Sequence, residues 1–136
     1  MINYAHGQDL NKHLWKNRVL LIMSQNENSK EYQDQIAEFY KFPSELKERK
    51  MLIYHVLPQR YTLIKDAVDP EQNEWVSSSA LFDKFAGKNV DFKVVLIGLD
   101  GGNKLEKNGL LSAEELFGTI DSMPMRRAEL NKKRNR

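Results

Sequence analysis

The sequence predicts a single α/β domain built around a mixed sheet, and three observations carry this. Apolar runs of strand length, VLLIM at Val19 to Met23, MLIYHVL at Met51 to Leu57 and FKVVLIGL at Phe92 to Leu99, alternate with stretches of helical period. A chain of 136 residues fits one domain and leaves little for a second. Its 40% hydrophobic and 29% charged residues suit a folded domain rather than a disordered one. At this length folding buries roughly two-thirds of the unfolded surface, enough for a core without metal or disulfide staples.

The elements follow in order. Val19 to Met23 is almost continuously apolar, as a strand covered on both faces must be. In the polar SQNENS that follows, Asn28 and Glu31 have capping-box spacing, with Asn in the capping position. Tyr32, Ile36, Phe39 and Tyr40 then recur at helical spacing, and Pro43 ends or kinks that helix. PSELKERK offers a further short turn, and Met51 to Leu57 is a second strand stopped by Pro58. Gln59 to Val76 admits two readings: a hairpin pairing Tyr61 to Ile64 with Trp75–Val76, or a loop. SSSALFDKF reads as a short helix with a serine start and Gly87 at its end.

Phe92 to Leu99 is the strongest strand. Asp100-Gly101-Gly102 is a tight turn, and NKLEK at Asn103 to Lys107 is a short, charged return strand of the kind suited to a sheet edge. Ser112 and Glu115 form a full capping box, Leu116, Phe117 and Ile120 give the last helix its buried face, and Pro124 stops it. The order is that of a thioredoxin-like domain, a three-layer sandwich with helices on both faces of a mixed sheet of about four to five strands. The domain is expected over residues 1–125, with 126–136 as a basic tail.

Charge is unevenly spread. The net charge is +2, yet Arg126, Arg127, Lys132, Lys133, Arg134 and Arg136 crowd the last eleven residues against one acid, Glu129. The remainder is mildly acidic, which disfavours a nucleic-acid-binding body. The tail itself could serve nucleic acid or an acidic membrane surface; a solvated, disordered end is the plainer expectation. No run approaches the roughly 20 apolar residues of a membrane span, and MINYAHGQDLNKHLW lacks the apolar core of a signal peptide.

Zero cysteines exclude thiol–disulfide chemistry, a cysteine peroxidase and a thiolate zinc site. The place after the first strand, where a thioredoxin presents a thiolate activated by a helix N-terminus, is here Ser24 to Ser29. Ser24, Gln25 and Asn26 cannot act as redox thiols, but the helix start could attract an anion. The plainer reading is a polar capping loop. His6, His13 and His55 have no metal-ligand spacing, and His55, inside a strand, is expected to be packed or hydrogen-bonded rather than catalytic. There is no G-x-S-x-G elbow, dinucleotide fingerprint or P-loop. Arg126 and Arg127 could fork a carboxylate or phosphate, or could pair with acids such as Asp121 beyond a helix end. Trp15 with Arg18 could stack against the sheet, and Trp15 is read chiefly as a packing anchor before the first strand. Neither a metal nor a cofactor is implied.

VVLIGLDGGNKL, SAEELFGTIDSMPMRRAEL and the opening WKNRVLLI together resemble the family known as domain of unknown function 4174. The same domain type occurs in extracellular sushi-repeat-containing and coiled-coil-domain-containing proteins. The resemblance covers most of the chain and is weakest between Leu57 and Ser79. It implies a thioredoxin-like, somewhat peroxiredoxin-like fold, carries no established activity, and implies a periplasmic or secreted setting. Leu99 stands where the family often has a lysine before the turn, so any role of that lysine is absent here. The function expected is a non-redox module binding a protein or small anionic partner. The alternatives are a thiol-independent enzyme, and surface or nucleic-acid binding through the tail.

Overall fold

The computed structural model describes residues 9–64, 73–87 and 90–134. After a 3-10 turn at Asp9–His13 come β1 (Arg18–Ser24), α1 (Lys30–Phe39), α2 (Pro43–Glu48), β2 (Met51–Val56), β3 (Arg60–Leu63) and β4 (Trp75–Ser77). They are followed by α3 (Ala80–Phe85), β5 (Phe92–Ile97), β6 (Asn103–Lys107), α4 (Ala113–Asp121) and α5 (Pro124–Arg134). The strands form one sheet in the order β4-β3-β2-β1-β5-β6. β1 and β2 are parallel, joined across the sheet by α1 and α2, and the other neighbours are antiparallel.

β1 lies between two strands and is buried at every position, which is why its sequence does not alternate. Leu20 and Ile22 face a core shared with Ile36, Phe39, Leu46, Leu116 and Ile120. Val19, Leu21 and Met23 face a second core with Leu81, Phe82 and Ala86 of the α3 region. These are the three layers that the sequence predicts, but the sheet has six strands in place of four to five. The extra pair is the hairpin reading of the Gln59 to Val76 stretch: β3 pairs with β4, Tyr61 opposite Val76 and Thr62 opposite Trp75. Residues 65–72 between them lie outside the described residues.

Two helix starts and one end refine the reading. α1 is capped by Ser29, whose hydroxyl accepts the Tyr32 N–H at 3.2 Å. Asn28, the expected cap, instead donates its N–H to Asn26 Oδ1 at 3.0 Å. Ser112 caps α4 as expected, accepting from the Glu115 N–H at 3.1 Å. The stretch expected as a solvated tail is helical through Arg134. Pro124 does end the preceding helix, but it also opens α5, where its missing N–H costs nothing and its fixed φ suits a first turn. Arg126, Glu129 and Lys133 then fall on one helical face. That face meets Glu48 and Asp121, so Arg126 and Lys133 pair with acids of the preceding elements, Arg126 buried and Lys133 exposed.

Candidate functional site

The carboxyl ends of β1 and β2 meet the start of α1 at one corner of the sheet. Register fixes what gathers there. Ile22 pairs with His55, His55 with Thr62, and Thr62 with Trp75. Because side chains alternate along a strand, Ser24, His55, Thr62 and Trp75 share one face, and α1 places Tyr32 over it.

His55 is 3% exposed. Its ring stacks on Tyr32 with centroids 3.5 Å apart and planes 12° from parallel, and it meets Trp75 edge-on at 5.6 Å. Burial, helped by the Arg60 charge, pushes its pKa down to about 3, so the imidazole is neutral. Burial and the neighbouring Tyr40 push the Tyr32 phenol above its ordinary value. Ser24 Oγ lies 3.2 Å from His55 Nε2 and donates to the Asn26 carbonyl at 3.1 Å. With the hydroxyl hydrogen committed to that carbonyl, Nε2 is the donor to Oγ. A buried Ser24 beside a donating, weakly basic His55 is the reverse of an activated nucleophile with its base.

Outside this packed pair the corner opens into a groove of about 280 Å³ lined by Glu27, Tyr32, His55, Arg60, Thr62 and Trp75, among others. The Arg60 guanidinium lies over the Trp75 ring, 4.1 Å from its centroid, and pairs with Glu27. Thr62 Oγ1 donates to the Glu74 carbonyl at 2.7 Å, which helps to fix the hairpin wall. The groove therefore offers a cation on an aromatic face, a second aromatic ring and a neutral buried imidazole. Among the described residues no group of three or more His, Asp or Glu could hold a metal ion, and no helix is long and apolar enough to cross a membrane.

The candidates from sequence divide between the two ends of β1. At its carboxyl end Ser24 is buried beneath the groove. Gln25 donates its N–H to the Asp91 carbonyl at 3.0 Å and its side-chain amide to Val90 at 3.1 Å, tying the loop to the approach to β5. Asn26 is exposed and shapes the turn. About 20 Å away by strand length, Arg18 is 1% exposed while Trp15 is 63% exposed, so the expected anchor is not packed. Trp15 has a positive φ of 66°, and its N–H bonds the Leu99 carbonyl at 2.7 Å, a backbone rather than a ring attachment. Arg18 goes instead to the Arg49 carbonyl at 3.0 Å and to Glu129 at 3.4 Å.

Glu129 also receives Arg126, which is 2% exposed and bound to Asp121 and Glu48. Arg127 is exposed on the other side of α5. Tyr32, Arg60 and Trp75 escaped the sequence reading as groove residues. The signal was present in the even spacing of Arg60 and Thr62, but using it required choosing the hairpin over the loop.

Solved structures that share the fold include two peroxiredoxins. The chain superposes on the reduced 2-Cys peroxiredoxin of Plasmodium vivax with a TM-score of 0.57, at 15% identity over 88% of this chain and 83% of that one. The mitochondrial 2-Cys peroxiredoxin of Plasmodium falciparum gives 0.51, at 13% identity over 83% and 79%. The class is therefore that of cysteine-free domains with the thioredoxin-like fold of peroxiredoxins. Residues 9–129 match the family model described as Domain of unknown function (DUF4174), and the chain belongs to that family. No curated protein matches the sequence.

Proposed function

We propose that the protein is a non-redox thioredoxin-like module that binds a protein or small anionic partner in the groove at the β1–α1 corner. The observation that supports this is the placement of Arg60 over Trp75, beside a neutral His55 stacked on Tyr32, where this fold elsewhere presents its thiolate. An acid group on the partner takes Arg60 in exchange for Glu27. That exchange costs little, because Glu27 is half exposed and such pairs contribute about 0–1 kcal/mol. A flat or apolar part of the partner then rests on Trp75 and Tyr32.

The test uses a Trp15→Phe variant, which leaves Trp75 as the only tryptophan. Its emission is followed during titration with inorganic phosphate, small carboxylates and short acidic peptides. A saturable change with at least one of these, weakened about tenfold or more by Arg60→Gln, is the expected result. If none of them saturates, or if Arg60→Gln binds as well as its parent, the groove is not the binding site.

A further inference from the structure

The loop between β6 and α4 carries Asn108-Gly109, the only Asn-Gly pair in the chain. Asn108 is exposed, and its side-chain amide has no hydrogen-bond partner among the described residues. The Gly109 N–H has none among them either. A Cβ built on Gly109 would stand in open space. Nothing therefore ties down the Asn108 amide or the backbone nitrogen that follows it, and a residue without a side chain leaves the approach between them unobstructed.

Other asparagines are restrained. Asn17 Nδ2 donates to the Lys50 carbonyl at 3.2 Å, and the following Arg18 N–H donates to the same carbonyl at 2.9 Å. Asn28 precedes Ser29, whose N–H is taken by the Asn26 carbonyl at 3.1 Å. Asn103 Nδ2 donates to Glu106 at 2.7 Å. Asp100-Gly101 is the matching pair with an acid in place of the amide, and it is fully engaged. The Gly101 N–H donates to the Gly98 carbonyl at 3.0 Å. The Asp100 carboxylate accepts from the Gly102 N–H at 2.9 Å and Lys104 Nζ at 3.0 Å, which hold its carboxyl below the usual range. It stays a carboxylate, a poor centre for nucleophilic attack. The chain is pinned on both sides of Asn108. Lys107 pairs with Val94 in the sheet and with Glu115 at 2.8 Å. Leu111, 1% exposed, donates its N–H to Gln35 Oε1 at 2.8 Å and accepts from Gln35 Nε2 at 2.7 Å.

We propose that Asn108 is a site of spontaneous covalent modification, independent of the groove, which closes onto Gly109 and is then hydrolysed to aspartate and isoaspartate. The Gly109 nitrogen gives its proton to solvent base and attacks Asn108 Cγ. The N–Cγ bond forms, the Cγ–Nδ2 bond breaks, and ammonia leaves with a proton taken from water. Water then adds to one of the two carbonyls of the five-membered imide and opens it. Opening at the side-chain carbonyl gives aspartate, and opening at the main-chain carbonyl gives isoaspartate; nothing is oxidised or reduced. Both products put a negative charge where a neutral amide stood. Isoaspartate also lengthens the main chain between two anchors, so its strain falls on the Gln35–Leu111 clamp that leads into α4.

The intact protein is aged at mildly alkaline pH and then mapped by mass spectrometry, with fragmentation that separates aspartate from isoaspartate. Asn108 is expected to convert before any other asparagine, to yield both products, and to convert faster as pH rises, because the attacking nitrogen must lose its proton. Asp100 should stay normally linked. Gly109→Ala places a Cβ beside the attacking nitrogen and should lose the conversion. That variant is expected to fold, since Gly109 is not among the positive-φ glycines and its Cβ meets nothing. Asn108→Gln, which would have to close a larger ring, should also stay unconverted. The Leu111 amide should exchange with solvent faster in the isoaspartyl form than in fresh protein. Arg60→Gln should convert as the wild type does, which keeps this result separate from that of the groove. No conversion at Asn108, aspartate without isoaspartate, or full-rate conversion in Gly109→Ala would overturn the proposal.

Discussion

His55 concentrates the physics of the groove in one ring. Its folded pKa of about 3 lies below the ordinary 6.5 because burial and Arg60 both disfavour the cation. Between those values the unfolded chain binds a proton that the folded chain refuses. Stability is therefore complete above about pH 6.5 and falls as pH drops toward the folded value, at up to about 1.4 kcal/mol per pH unit. His55→Phe keeps a ring against Tyr32 and removes that proton. Urea unfolding at about pH 7 and about pH 5 should show a smaller loss in the variant than in the wild type. Equal losses would mean that His55 is protonated in the fold. The sequence indicated that His55 was packed, since it sits in a strand. It did not indicate Tyr32 or Trp75 as neighbours, because register across β2, β3 and β4 decides that.

Arg126 and Arg127 show the same limit from another side. Adjacent in sequence, they differ wholly in surroundings, one buried among three carboxylates and the other exposed. Arg126→Met should cost about 1.5–3 kcal/mol for the charged hydrogen bonds lost. Arg127→Ala should leave the urea midpoint unchanged. Pairing with Asp121 was readable from sequence, whereas Glu48, 78 residues away, was not.

At the scale of elements, the strongest signals came from those whose pattern is set by burial. β1 and β5 are covered on both faces and read as apolar runs; Ser112 announces α4 by its own hydrogen bond. Short elements stabilised by partners were harder. β4 has three residues and gains its place by pairing with β3. α5 was obscured because its only buried residue is an arginine, so no apolar stripe marks it.

That composition has a consequence. A helix held by ion pairs loosens as salt screens its exposed members. Hydrogen exchange of α5 amides should quicken in about 1 M salt, while α4, anchored by Leu116 and Ile120, should not respond. The Asp100-Gly101-Gly102 turn makes a different demand. Gly101 has a φ of +83°, and a Cβ there would meet Leu14 Cδ2 at 2.7 Å. Gly101→Ala should cost about 1–2 kcal/mol from the backbone alone, read as a lowered urea midpoint.

Across the whole molecule, one strand joins two poles. The carboxyl end of β1 carries Ser24 under the groove, and its start carries the buried Arg18, bonded to the Arg49 carbonyl and Glu129. The sheet between them is its most deeply buried part. Amides of β1, β2 and β5 should exchange last, and those of the edges β4 and β6 first, on the hydrogen-exchange timescale. The three-layer order was legible because strand and helix periods differ so clearly along the chain. The groove was not, because it is assembled from β1, α1, β2 and a hairpin whose pairing the sequence left open.

Whether partners bind through the groove is decided by affinity capture from the native host's extract. Wild-type protein and a folded Arg60→Gln/Trp75→Ala variant serve as paired baits, with Arg127→Ala as a control for surface charge. A specific protein or small anionic molecule should be held by the wild type and by Arg127→Ala, and lost by the groove variant. The same set of partners on the wild type and the groove variant, or no specific partner on either, would contradict binding through the groove.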